Sequence, residues 1–170
     1  IACNIVCIYV QNSKTVETKT MSKNLVIVES PAKARTIGRF LGKSYIVKAS
    51  MGHVRDLPKS GLGIETSDGS FEPSYRVMPD KRKIITELKN AVKTADVVYL
   101  ATDPDREGEA ISWHLMEATG IPKEKARRVI FHEVTEAAVQ HAFENPRPLN
   151  VSLVNQQQAR RMMDRLIGYP

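Results

Sequence analysis

Two short apolar runs in this chain each stop at an acid and pass straight into a helical pattern. Leu25-Val26-Ile27-Val28 ends at Glu29, and Val97 to Ala101 ends in acids at Asp103, Asp105 and Glu107. Continuous β-branched runs of this kind suit strands buried on both faces, as in a parallel sheet covered by helices. After Glu29, Ser30-Pro31 supplies an N-cap and a first-turn proline, and Ala34, Ile37 and Leu41 recur at helical spacing until Gly42 closes the helix.

The same alternation continues along the chain. Tyr45 to Ala49 reads as a second strand. Residues 54–79 are punctuated by Pro58, Gly61, Gly63, Gly69, Pro73 and Pro79 and are expected to form a long loop. A helix is expected over 80–94, a strand over 97–101, and a helix carrying Ile111, Leu115 and Ala118. Arg128 to Phe131 is expected as a fourth strand, Thr135 to Phe143 as a helix, and 151–167 as a polar, basic helix. Strands alternating with helices predict an α/β domain with a mainly parallel sheet. Ligands of such sheets bind beyond the carboxyl ends of the strands, so if the first and third strands are neighbours, Glu29 and Asp103 converge.

Acids as dense as those at 103, 105 and 107 repel one another and repel any phosphate. A divalent cation removes both penalties, because Mg²⁺ takes hard oxygen ligands from one or two carboxylates and from substrate phosphates. The spacing therefore suggests metal-assisted chemistry on a phosphodiester. Helix capping is the competing explanation, since Asp103-Pro104 makes a good cap and first-turn pair. It accounts for one or two of the acids better than for all of them. No G-x-x-x-x-G-K-[ST] phosphate loop occurs, which argues against an ordinary nucleotide-driven ATPase.

A chain of 170 residues with 42% hydrophobic and 26% charged residues fits one soluble globular domain. Its net charge of +6 is compatible with a polyanionic partner. The cysteines are Cys3 and Cys7, which excludes a disulfide framework and gives only a weak metal signal. Residues 1–20 have no helical or strand period that continues into the apolar run at Leu25, and Ile5 to Val10 is too short to span a bilayer. Met21 is expected to be the natural start, with 1–20 an upstream extension that is disordered or non-native.

Four ordered blocks carry a family resemblance. Val26-Ile27-Val28-Glu29-Ser30-Pro31-Ala32-Lys33-Ala34 resembles the opening of the Toprim domain of bacterial type IA DNA topoisomerases, and His53-Val54-Arg55-Asp56-Leu57-Pro58 resembles the next block. Ala101 to Ile111 is similar to the D-x-D-x-E motif with its surroundings. Gln157 to Arg165 is similar to the start of the family's helical, DNA-binding domain. The E-S-P-A-K form is more like topoisomerase I than topoisomerase III or the Toprim primases. The resemblance runs from Met21 to Pro170. It implies a Rossmann-like Toprim domain over 21–145 and the start of a helical DNA-binding domain over 146–170.

The resemblance also implies roles. Glu29 is implied as the general acid or base at the leaving 3′ oxygen, with Lys33 stabilising charge on the phosphate. Glu29, Asp103 and Asp105 are implied as Mg²⁺ ligands, and Glu107 as a weaker candidate standing behind them. His53, Arg160, Arg161, Asp164 and Tyr169 are implied as DNA contacts; a helix face with Arg160, Arg161 and Asp164 suits a phosphate. Taken alone, Lys33, Arg106 and His53 also read as solvated surface groups, and Arg160 with Asp164 as an exposed ion pair. Type IA enzymes cut one strand with a Tyr hydroxyl, and that covalent link needs no ATP. None of Tyr9, Tyr45, Tyr75, Tyr99 and Tyr169 lies in a nucleophile-like block.

The expectation is therefore an amino-terminal fragment of a topoisomerase that relaxes negatively supercoiled DNA. Its partners would be single-stranded DNA and the downstream domains of the same polypeptide, in the cytoplasm at the nucleoid, with no membrane partner. The alternatives are a stand-alone Toprim nuclease and a non-catalytic nucleic-acid-binding module.

Overall fold

The computed structural model describes residues 24–67 and 69–168. The expectations for residues 1–20, for Met21 as a start and for Tyr169 lie outside these residues. Strand β1 (Asn24–Val28), helix α1 (Pro31–Leu41), strand β2 (Tyr45–Ala49), strands β3 (Arg55–Asp56) and β4 (Arg76–Val77) come first. They are followed by α2 (Arg82–Thr94), β5 (Val97–Leu100), α3 (Arg106–Thr119), β6 (Ala126–Arg128), α4 (Glu136–Glu144) and α5 (Val151–Gly168). The main sheet has the order β2-β1-β5-β6, and all three pairings are parallel. This is the mainly parallel α/β sheet flanked by helices that the alternation predicts.

Residues alternate faces along a strand, and both faces of β1 are covered, which is why its sequence is apolar throughout. Leu25 and Ile27 pack with Ile85, Leu88 and Val92 of α2 and Ile111 and Leu115 of α3. Val26 and Val28 face the other way, toward Ile37 of α1 and Val139, Ala142 and Phe143 of α4. α5 packs on α3 and buries Val154, Gln157 and Arg165.

The structure differs from the sequence expectations at three places. The long loop contains the antiparallel β3–β4 pair and a bridge between Ile64 and Pro73. The fourth strand lies two residues earlier than expected, at Ala126–Arg128, because its polar residues sit at the sheet edge. There Arg128 exchanges backbone hydrogen bonds of 3.0 and 2.9 Å with Arg147, while Val129 and Phe131 join the core below α4. Finally, the cap of α3 is Asp105, not Asp103: the Asp105 Oδ1 accepts the Gly108 N–H at 2.8 Å. Capping thus accounts for Asp105 and leaves Asp103 unexplained by it.

Candidate metal and nucleic-acid site

β1 and β5 are direct neighbours, so Glu29 and Asp103 emerge side by side at their carboxyl ends. Ser30 caps α1 by accepting the Lys33 N–H at 3.3 Å, and Pro31 fixes its first turn. Lys33 therefore rises one turn above Glu29, and its Nζ bonds both Glu29 Oε1 and Asp103 Oδ1. Burial alone lowers the Lys33 pKa, but the hydrogen bonds to Asp103 and Glu29 outweigh it and raise the pKa above the ordinary value. The other Glu29 oxygen, Oε2, is buried without a hydrogen-bond partner. Among the described residues, no three or more His, Cys, Asp or Glu side chains are gathered at one point.

The other acids part company. Glu107 Oε2 faces His53 Nε2 and Gln157 Nε2, each at 3.3 Å. Glu109 turns inward and is 1% exposed; its Oε1 accepts from Arg128 Nε at 2.9 Å and its Oε2 from the Asn150 N–H at 3.0 Å. Arg128, equally buried, was not singled out by the sequence. Its Nη1 donates to the carbonyls of Leu100, Thr102 and Val129 at 3.0, 2.9 and 2.7 Å, and its Nη2 to that of Asp103 at 2.6 Å. One guanidinium thus holds the backbone that presents Asp103. Burial pulls its pKa below the ordinary arginine value, and Glu109 pulls it back. From above, the Thr102 hydroxyl bonds the Gly108 carbonyl at 2.6 Å and the Ser112 hydroxyl at 2.9 Å.

Beside the acids lies a cleft of about 480 Å³ whose lining includes His53, Arg55, Tyr75, Glu107, His114 and Arg161. At its floor the Arg55 guanidinium lies 5.5 Å from the Trp113 ring centre and 5.9 Å from that of Tyr75. His114 packs edge-on against both rings. Burial, with Arg55 beside it, lowers the His114 pKa to about 3, so the imidazole is neutral. Burial also pushes the Tyr75 phenol to about 12. Arg55 Nη1, Tyr75 Oη, His114 Nδ1 and Gln157 Oε1 are buried around this cleft without hydrogen-bond partners.

Arg160 and Arg161, adjacent in α5, have different surroundings. Arg161 forms a two-point pair with Asp56, Nε to Oδ1 at 3.0 Å and Nη2 to Oδ2 at 2.7 Å. That hydrogen bond raises the Arg161 pKa; for Asp56, burial raises the pKa but the arginine bonds win and lower it. Arg160 meets Asp164 only at 3.9 Å, with both side chains about 60% exposed, 59% and 61%. The structure thus splits the expected Arg160–Arg161–Asp164 face into a fixed guanidinium and an exposed, loosely paired one.

Comparison with known proteins agrees with this fold. The Toprim domain profile matches residues 24–134. DNA topoisomerase 1 of Campylobacter jejuni is 55% identical over 149 residues, which is 88% of this chain and 21% of that protein. Among solved structures, full-length topoisomerase I from Thermotoga maritima superposes with a TM-score of 0.78 at 43% identity, covering 85% of this chain and 24% of that one. The chain spans about a fifth of the length of the curated relative, 21%. A profile match across most of the chain, a parallel sheet of the same form and the acids at its strand ends place the chain in the Toprim family, beside the bacterial type I DNA topoisomerases.

Proposed function

We propose that the chain is the amino-terminal part of an ATP-independent type IA topoisomerase. The whole polypeptide relaxes negatively supercoiled DNA by transient cleavage and passage of one strand, at the nucleoid in the cytoplasm. The observation that carries this reading is the meeting of Glu29 and Asp103 around one cation-binding position, next to a cleft with an arginine edge. Among the described residues no helix is long and apolar enough to cross a membrane.

Mg²⁺ is the cofactor this reading requires, and the residues fit it. Their donors are hard carboxylate oxygens, the position between Glu29 and Asp103 already accepts an ammonium, and Glu29 keeps a buried oxygen without a partner. Glu29 and Asp103 would hold it, and Asp105, one of whose oxygens caps α3, would contribute through the other. When bound, it supplies charge neutralisation between the acids and a phosphodiester. Glu29 passes a proton to or from the leaving 3′ oxygen, and Lys33 stabilises the phosphate. Glu107 holds His53 toward the DNA, and Arg160, Arg161, Asp164 and Tyr169 receive the strand. The nucleophile is a Tyr of the downstream polypeptide. Support comes from Tyr45 and Tyr99 packing on Phe143 and from the buried Tyr75 hydroxyl, whose raised pKa makes it a poor nucleophile.

The test is plasmid relaxation in Mg²⁺ with the downstream polypeptide added in trans. The chain alone is expected to give none, the mixture to relax, and Asp103→Asn to lose about a hundredfold or more, the scale of removing one preorganised electrostatic group. Relaxation by the chain alone overturns the assignment of the nucleophile. Nicking of the plasmid by the chain alone favours the nuclease instead.

Binding to single strands should weaken as salt rises, because each neutralised phosphate releases counterions. Arg160 is exposed and paired with Asp164 only at 3.9 Å, which leaves it able to reach a phosphate, whereas Arg161 is held by Asp56 at 2.7 Å. Arg160→Ala should therefore flatten the slope of log affinity against log salt by about 0.7, and Arg161→Ala by less. An unchanged slope in the double variant would remove both arginines from the interface.

A further inference from the structure

On the reading that Glu29 and Asp103 hold Mg²⁺, we propose that Lys33 is the resident counter-cation of the site: its ammonium occupies the metal's position, and metal entry releases it to the DNA phosphate. The geometry leads to this step by step. Two carboxylates at adjacent strand ends repel unless a cation stands between them. Lys33 Nζ stands there, bonded to one oxygen of each. Its backbone is fixed by the first turn of α1, through Ser30 and the proline at position 31, so its Cα does not depend on the metal. Its four-carbon stem is flexible, and its side chain is 22% exposed, which leaves a way out toward solvent.

Arg128, the other strongly placed cation nearby, bonds the Asp103 carbonyl and not its carboxylate, so it cannot take over the role. A Lys33 that served only the phosphate would not need a bond to each of the two acids. The exchange also links the two ligands: metal entry frees a lysine for phosphate, and a phosphate that holds Lys33 frees the acids for metal. By linkage, each ligand then tightens the other.

Calorimetric titration of Mg²⁺ into the 170-residue chain and into Lys33→Met, without DNA, tests this. The variant is expected to bind Mg²⁺ about tenfold more tightly, the scale of two partly exposed ion pairs. A second arm uses the unaltered chain, so it does not depend on the variant folding. Acetic anhydride labelling of Lys33, read by mass spectrometry against Lys43, should become faster when Mg²⁺ is added. Equal or weaker binding by the variant, or labelling that Mg²⁺ leaves unchanged, overturns the exchange while the metal site stands. No saturable Mg²⁺ binding in either protein overturns the metal reading and the exchange with it.

Discussion

Replacing Arg128 by Met lowers the stability of the chain by about 3–5 kcal/mol, the cost of leaving one member of a buried ion pair alone. The side chain and its partner Glu109 are each 1% exposed, and the same guanidinium donates to four backbone carbonyls, of which that of Leu100 also receives the Val129 N–H. The variant leaves the Glu109 charge without its counter-ion and takes a donor from each of those carbonyls, where little water can reach. Urea unfolding followed by circular dichroism reads the loss as a lower midpoint. Replacing Glu109 by Leu in the same chain should recover much of it, because exchanging a whole buried pair for apolar groups is often nearly neutral. The loop at Asp103 would still lack its support, so Mg²⁺ binding should stay weak in the double variant. A single variant as stable as the parent would mean that the pair is not buried in solution.

The framework was legible because local rules and global packing agree in it. A strand buried on both faces, a Ser-Pro helix start and an acid at the strand end each have a short-range signature, and β1, α1 and β5 appear where those signatures stand. The meeting of Glu29 with Asp103 needed one further step, the adjacency of their strands. What stayed hidden depends on residues far apart in sequence. Arg128 looks like one more basic residue of a charged segment until the fold brings it to Glu109 and Asp103. Arg161 next to Arg160 suggests one phosphate-binding face, yet Asp56, distant in the chain, claims one of the two. The fourth strand was misplaced for a related reason. An edge strand that ends in a buried arginine lacks the apolar run that marks a buried strand, and of the apolar residues after it Val129 gives β5 one last hydrogen bond, to Leu100, before the chain turns into the core. The cap of α3 falls on Asp105 and not on Asp103-Pro104, the pair whose local sequence suits a cap. Only the closeness of Gly108 to the preceding loop decides between them.

That closeness makes Gly108→Ala the sharpest probe of the site. A Cβ on Gly108 would lie 2.0 Å from the Asp103 carbonyl oxygen and 2.8 Å from its carbonyl carbon and nitrogen. All three are backbone atoms, so no side chain can swing aside. Alanine within a helix normally gains about 1 kcal/mol over glycine, whereas overpacking a tight contact costs about 1–3 kcal/mol and occasionally more. With backbone as the obstacle the second effect wins, and the chain should lose about 2 kcal/mol or more. Relief of the clash has to shift the first turn of α3 against the segment that carries Asp103, although Thr102, Asp105 and Arg128 tie the two together. Asp103 then moves away from Glu29, and Mg²⁺ affinity falls together with stability. Gly38→Ala is the matched control: it is also helical, its Cβ would meet only the Val47 side chain at 3.7 Å, and it should be neutral or stabilising. If Gly108→Ala unfolds like Gly38→Ala and binds Mg²⁺ like the parent, the close approach of α3 to the Asp103 loop does not exist in solution. The acids at the strand end would then need another account of how they are held.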